Sequence, residues 1–228
     1  LGSTVLLPPD SEGEDDDSKY EPSYEYASVL GSIMYSANMT RPDLVTGVNK
    51  LSRYVANPSH THFKALTKLV AFAYQSRDRR LRYTQVPMDV EHDPYRLHAA
   101  SDSSYGDCPD SGRSTIGRCV WMGAKCNGLI DWKSQLPAQV AQNTTEAEVQ
   151  AATECAKDIL YYRQLLYSLG YPQKGSTRMR VDSTGAISQM NALSGVSTQR
   201  HYLVKLRKLQ EVRHMGMVHP YRVDTKDN

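Results

Sequence analysis

Cysteine is scarce in this chain, long apolar runs are missing, and one end holds no basic residue. Four cysteines stand among 228 residues, at Cys108, Cys119, Cys126 and Cys155. None falls in a C-x-x-C pair and no paired histidines accompany them, so neither a zinc site nor a disulfide framework is expected. They read as reduced thiols of an intracellular protein. No apolar stretch approaches the roughly 20 residues of a membrane-spanning helix, and the chain opens without a signal peptide, so no membrane partner is expected. Residues 1–18 hold six acids (Asp10, Glu12, Glu14, Asp15, Asp16, Asp17) and no Lys or Arg. Such a run reads as a solvated, disordered linker over residues 1–20.

Without those six acids the rest of the chain carries 27 basic against 19 acidic residues. A basic body suits a polyanionic partner. With 39% hydrophobic residues the chain can build a core, and its length fits one full domain plus a smaller one. The smaller part, residues 21–90, has a helical pattern. Val29, Leu30, Ile33 and Met34 recur at helix spacing until Arg41-Pro42. A second helix carries Leu44 to Val55, and a third Phe63, Leu66, Leu69, Val70 and Phe72. Residues 91–228, after Asp93-Pro94, read as an α/β domain. Strands are expected over 95–102, 114–122 and 125–133, the last two joined by a turn at Gly123-Ala124. A helix over 145–169 ends at Gly170 with Pro172 beyond. A strand over 177–182, a helix through Ile187, a basic helix over 199–215 and a strand over 217–223 complete a mixed sheet.

Three carboxylates carry the chemistry of this reading. Asp102 and Asp182 each close a strand, and Glu148 opens the long helix. Acids at strand ends and a helix start can converge at the rim of an α/β sheet, where they suit a hard divalent cation. Each also has a plainer role open to it. Thr145-x-x-Glu148 fits a capping box, Asp182 a helix N-cap, and Asp102 a turn. At 100° per residue Glu148 shares a face with Ala152, Cys155, Ile159, Tyr162 and Leu166, whereas Glu146 points the opposite way, toward solvent. His60 and His62 are poorly spaced to share a metal. Two basic clusters, Arg77, Arg79, Arg80 and Arg82, then Arg200, His201, Lys205, Arg207 and Lys208, are candidates for phosphate contact or simply solvated faces.

The segments Tyr26-Ala-Ser-Val-Leu-Gly-Ser-Ile-Met-Tyr35, Thr40-Arg-Pro-Asp-Leu44 and Leu51-Ser-Arg-Tyr54 resemble the end of the reverse transcriptase in copia-type LTR retrotransposon Pol polyproteins. Asp131-Trp-Lys-Ser134, Thr145-Glu-Ala-Glu148 and Val181-Asp-Ser-x-x-Ala-Ile187 resemble that family's ribonuclease H domain, in the same order. The resemblance implies a ribonuclease H-like mixed five-stranded sheet flanked by helices, preceded by a thumb- or connection-like helical segment. It also implies cleavage of RNA in RNA·DNA hybrids with two Mg²⁺ ions, Mn²⁺ being an alternative, at Asp102, Glu148 and Asp182. The partners implied are the hybrid and the rest of the polyprotein; the location is a cytoplasmic virus-like particle and the nucleus. Departures are Asp102-Ser103-Ser104-Tyr105 for a usual Asp-x-Asp-Trp, and Val149 for a usual tyrosine. Tyr221 to Asn228 resembles the run before the family's fourth carboxylate and last helix, so this chain is expected to lack both and to cleave poorly. The alternative is a non-catalytic hybrid-binding module. A transposase or integrase of the same fold places its glutamate last, unlike this chain, and the absence of a Tyr-x-Asp-Asp run speaks against polymerisation.

Overall fold

A computed structural model describes residues 23–83, 95–123, 128–192 and 200–223. The acidic run, the Asp93-Pro94 boundary, Ala124, Asp224 and Asp227 lie outside the described residues. The chain divides into two compact units, one up to Leu81 and one from Arg82, and each has its own core.

The first unit is helical: α1 (Ser23–Met39), a single 3₁₀ turn (Pro42–Leu44), α2 (Val45–Ser52) and α3 (His60–Gln75). Pro42 stands in the first position of the 3₁₀ turn, where its missing N–H leaves no partner wanting. Arg41 grips Asp43 through two bonds of 2.9 Å and donates to Ser76 Oγ at 2.6 Å, tying the turn to the end of α3. Tyr26, Leu30, Leu44, Leu51, Leu66 and Leu69 form the core, and the buried Tyr26 hydroxyl donates to the Leu51 carbonyl at 2.9 Å. Val29 and Val70 depart from the expected stripe: they are 40% and 38% exposed, because Leu30 and Leu69 beside them take the inward positions. His62 serves the backbone. Its Nδ1 accepts from Ser59 N at 3.0 Å while Ser59 Oγ accepts from His62 N, and its ring stacks on Tyr54 at 3.7 Å.

Among the described residues the second unit is a five-stranded sheet with three helices. Strands β1 (Leu97–Ser104), β2 (Thr115–Met122) and β3 (Leu129–Gln135) form an antiparallel meander. Then come α4 (Thr144–Ser168), β4 (Thr177–Val181), α5 (Thr184–Asn191), α6 (Arg200–His214) and β5 (Val218–Arg222). The order is β3-β2-β1-β4-β5, with β4 parallel to both β1 and β5. This is the ribonuclease H-like mixed sheet that the motif order implies. The core lies on one face, where Leu97, Ala99, Val120, Met179, Val181 and Val218 meet α4, α5 and α6. The alternation of buried and open residues along each strand sets that face. The long helix ends as its sequence predicts. Gly170 adopts φ +86°, Tyr171 N donates to Leu166 O at 2.8 Å and Gly170 N to Tyr167 O at 3.1 Å, which together close a Schellman turn.

Candidate metal centre

The sheet and the long helix bring three acids to one point. One carboxylate oxygen from each of Asp102, Glu148 and Asp182 lies within 4.8 Å of the others. Asp102 does not close its strand as expected. β1 runs on to Ser104 because β2 continues to pair with it, Asp102 opposite Gly117 and Ser104 opposite Thr115. Asp102 is exposed, Asp182 half-buried just past β4, and Glu148 only 6% exposed. A Cβ on Gly185 would come within 3.1 Å of Thr145 Oγ1, so glycine there lets α5 start against the start of α4.

The plainer roles open to these acids fall to neighbours. Asn143 caps α4, its side-chain oxygen accepting from Glu146 N at 2.9 Å. Ser183 caps α5, its hydroxyl accepting from Ala186 N at 3.2 Å, which leaves Asp182 outside that role. Glu146 corrects the sequence reading: it is buried, at 4% exposure, rather than facing solvent. Its carboxylate turns back over the helix start to accept from Gln142 N at 3.0 Å, a reversal that helical periodicity does not contain. It is not one of the three clustered acids.

Glu148 is held by a residue that the sequence reading passed over. Ser103 N donates to Glu148 Oε1 at 3.1 Å and Ser103 Oγ at 2.5 Å. Its other oxygen, Oε2, is buried without a hydrogen-bond partner among the described residues. Burial pushes the Glu148 carboxyl up to about 7, the Ser103 bonds opposing it and the charges of Asp102 and Asp182 adding to it. Asp102 is raised too, first because its carboxyl is partly withdrawn from water although the residue as a whole is exposed, and then by Asp182. A carboxylate oxygen that is costly to desolvate, beside two more carboxylates, is the donor set a hard cation needs. The residues present therefore fit a divalent metal.

The basic candidates are spread over both units. Arg77, Arg79, Arg80 and Arg82 are exposed. Arg77 lies over the Tyr74 ring at 4.7 Å, and Arg79 over Phe72 at 5.4 Å and 3.6 Å from Asp43. On α6, Arg207 and Lys208 are exposed, Lys208 pairing with Glu211 at 2.9 Å. Lys205 is half-buried against Gln139. The side chains of Arg200 and His201 lie outside those described.

No protein-family model matches the chain. It is 28% identical over 203 residues to the retrovirus-related Pol polyprotein from transposon TNT 1-94 of Nicotiana tabacum, covering 89% of this chain and 14% of that one. With the corresponding polyprotein of transposon RE2 from Arabidopsis thaliana it shares 29% over 162 residues, 71% of this chain and 10% of the relative. These two and the polyprotein of transposon RE1 are Pol polyproteins of retrotransposons. Another relative, the secreted RxLR effector protein 161 of Plasmopara viticola, is 29% identical over 136 residues, 60% of this chain and 89% of the relative. The chain spans about a seventh or less of the length of these polyproteins. Among solved structures, LC11-RNase H1, isolated from compost by a metagenomic approach, aligns over 58% of this chain and 87% of its own, with TM-score 0.44 and 16% identity. The foamy viral protease-reverse transcriptase bound to double-stranded DNA aligns over 91% of this chain and 40% of its own, with TM-score 0.47 and 12% identity.

Proposed function

We propose that this chain is the ribonuclease H portion of a copia-type Pol polyprotein, preceded by the helical end of its reverse transcriptase, and that it hydrolyses RNA in RNA·DNA hybrids. The observation that carries this reading is Glu148. Its Oε2 is buried and has no hydrogen-bond partner among the described residues, beside Asp102 and Asp182, on a chain whose relatives include Pol polyproteins. Ser103 holds one oxygen of Glu148 and so aims the other at the shared point. Asp102, the most open of the three, faces the solvent side from which a phosphodiester arrives. Asp182 closes the point from β4. Two bound Mg²⁺ ions, or Mn²⁺ in their place, supply charge neutralisation at the phosphodiester and promote ionisation of water. The basic side chains outside the cluster hold the backbone, and the 2′-hydroxyls of an A-like minor groove distinguish RNA from DNA.

The test is cleavage of a hybrid labelled on its RNA strand, in Mg²⁺, beside a DNA duplex of the same sequence. Asp102→Asn, Glu148→Gln and Asp182→Asn should each lower the rate by about 10² or more, since each removes charge at the reacting phosphate. Rates equal to the parent's in all three variants would overturn the reading. Only three carboxylates converge among the described residues. A polypeptide of residues 1–228 should therefore cleave about 10²–10³ times more slowly than one extended with the relatives' following sequence. Tight hybrid binding with no cleavage by either polypeptide would make the chain a hybrid-binding module instead.

A further inference from the structure

Ser103 follows Asp102 along β1, and strand alternation sends it to the covered face with Leu97, Ala99 and Ser101. There it meets the first turns of α4. Two donors of this one residue converge on a single atom. Its N–H reaches Glu148 Oε1 at 3.1 Å, and its hydroxyl reaches the same oxygen at 2.5 Å. An ionised carboxylate offers about four lone-pair sites, shared between its two oxygens. Ser103 therefore saturates Oε1. The buried Oε2 keeps its accepting capacity open among the described residues.

The arrangement is stiff at both ends. Ser103 stands opposite the fully buried Ile116 in the pairing of β1 with β2, so its N–H has a fixed direction. Glu148 is 6% exposed and carried by a long helix, so its carboxylate has little room to turn. A cation that takes Oε1 as well as Oε2 has to evict a Ser103 donor. It then forfeits a hydrogen bond to a charged group, which is worth more than one between neutral partners.

Divalent ions differ in what they ask of a carboxylate. Calcium gathers about six to eight oxygens at longer distances and accepts both oxygens of one acid. Magnesium is smaller, demands near-octahedral geometry and completes its shell with water. Where three carboxylates converge, calcium gains most from acids that give both oxygens. Magnesium loses nothing when an acid gives one.

We propose that Ser103 makes Glu148 a one-oxygen ligand and so biases the centre toward magnesium and against calcium. This rests on the metal reading above and adds to it the residue that selects the ion. Ser103 acts through Glu148, as a positioning residue and not as a ligand. The backbone N–H sets the direction of Oε1, and the hydroxyl closes the site that calcium would use.

The experiment titrates the 228-residue chain calorimetrically with Mg²⁺ and, separately, with Ca²⁺, and reads the ratio of the two affinities. Proton release from Glu148 burdens both ions alike and cancels in that ratio. Ser103→Ala deletes the hydroxyl and keeps the N–H, which also bears on Asp102. It should lower the Mg²⁺-to-Ca²⁺ ratio about 10-fold, the worth of one hydrogen bond to a charged group. Ser103→Thr restores a hydroxyl on the same strand and should restore the parent's ratio. A ratio unmoved in Ser103→Ala, even with both affinities reduced, overturns the proposal. So does an equal fall in Ser103→Thr, which would assign the effect to the packing of β1 against α4. A parent chain that binds both ions with the ratio unmoved by Ser103→Ala refutes the role of Ser103 alone. A parent that binds neither refutes the metal centre itself, and this proposal with it.

Discussion

Glu148 sits where a buried stripe meets two aspartates, and its protonation follows from that position. Burial first, then Asp102 and Asp182, lift its carboxyl to about 7 from an ordinary 4.5. A carboxyl raised in the fold keeps its proton where the unfolded chain has lost it, so the metal-free protein loses stability as pH rises from about 4.5 through 7. Glu148→Gln should remove much of that slope, read as urea midpoints at pH 5 and pH 7.5; a variant with the parent's full slope would contradict the account. Mg²⁺ must displace the same proton, so its affinity should climb over the same window. The inward face of Glu148 was legible from the spacing of Ala152, Cys155, Ile159 and Leu166. Ser103 was not, because its bond to Glu148 spans 45 positions and depends on how β1 lies against α4. The burial of Glu146 was hidden for a nearer reason, a fold-back onto Gln142 outside the helical repeat.

The elements were legible where punctuation is local. Gly170 with Pro172 marked the end of α4, and the left-handed φ of +86° is the cause. Gly170→Ala should cost about 1 kcal/mol, seen as a lower melting temperature, with Mg²⁺ binding unchanged. A loss of Mg²⁺ affinity there would mean the helix end and its start are coupled. Strand ends were less legible, since pairing is non-local. β1 extends two residues past Asp102 only because Thr115 lies opposite Ser104. The inward face of β4 was readable: Thr177-Arg178-Met179-Arg180-Val181 alternates buried with open positions.

At the scale of the whole molecule, two cores stand on two stretches of chain, and the acids belong to the second. Leu66, 2% exposed in the helical core, should cost about 2–5 kcal/mol when changed to Ala. Because the acid cluster draws on none of that core, Mg²⁺ affinity should be kept while the helical unit melts earlier. Mixed sheet and motif order were legible together, since Asp102, Glu148 and Asp182 follow a strand, helix, strand frame. What could not be read was the face on which each charge would stand. The central claim is that these three acids share a divalent ion, and diffraction from Mn²⁺-soaked crystals at the manganese edge tests it most directly. The account predicts an anomalous peak about 2.0–2.2 Å from an oxygen of Glu148, with Asp102 and Asp182 sharing its coordination, lost in Glu148→Gln. A cluster with no peak at saturating Mn²⁺, or a peak held only by residues elsewhere, would contradict it.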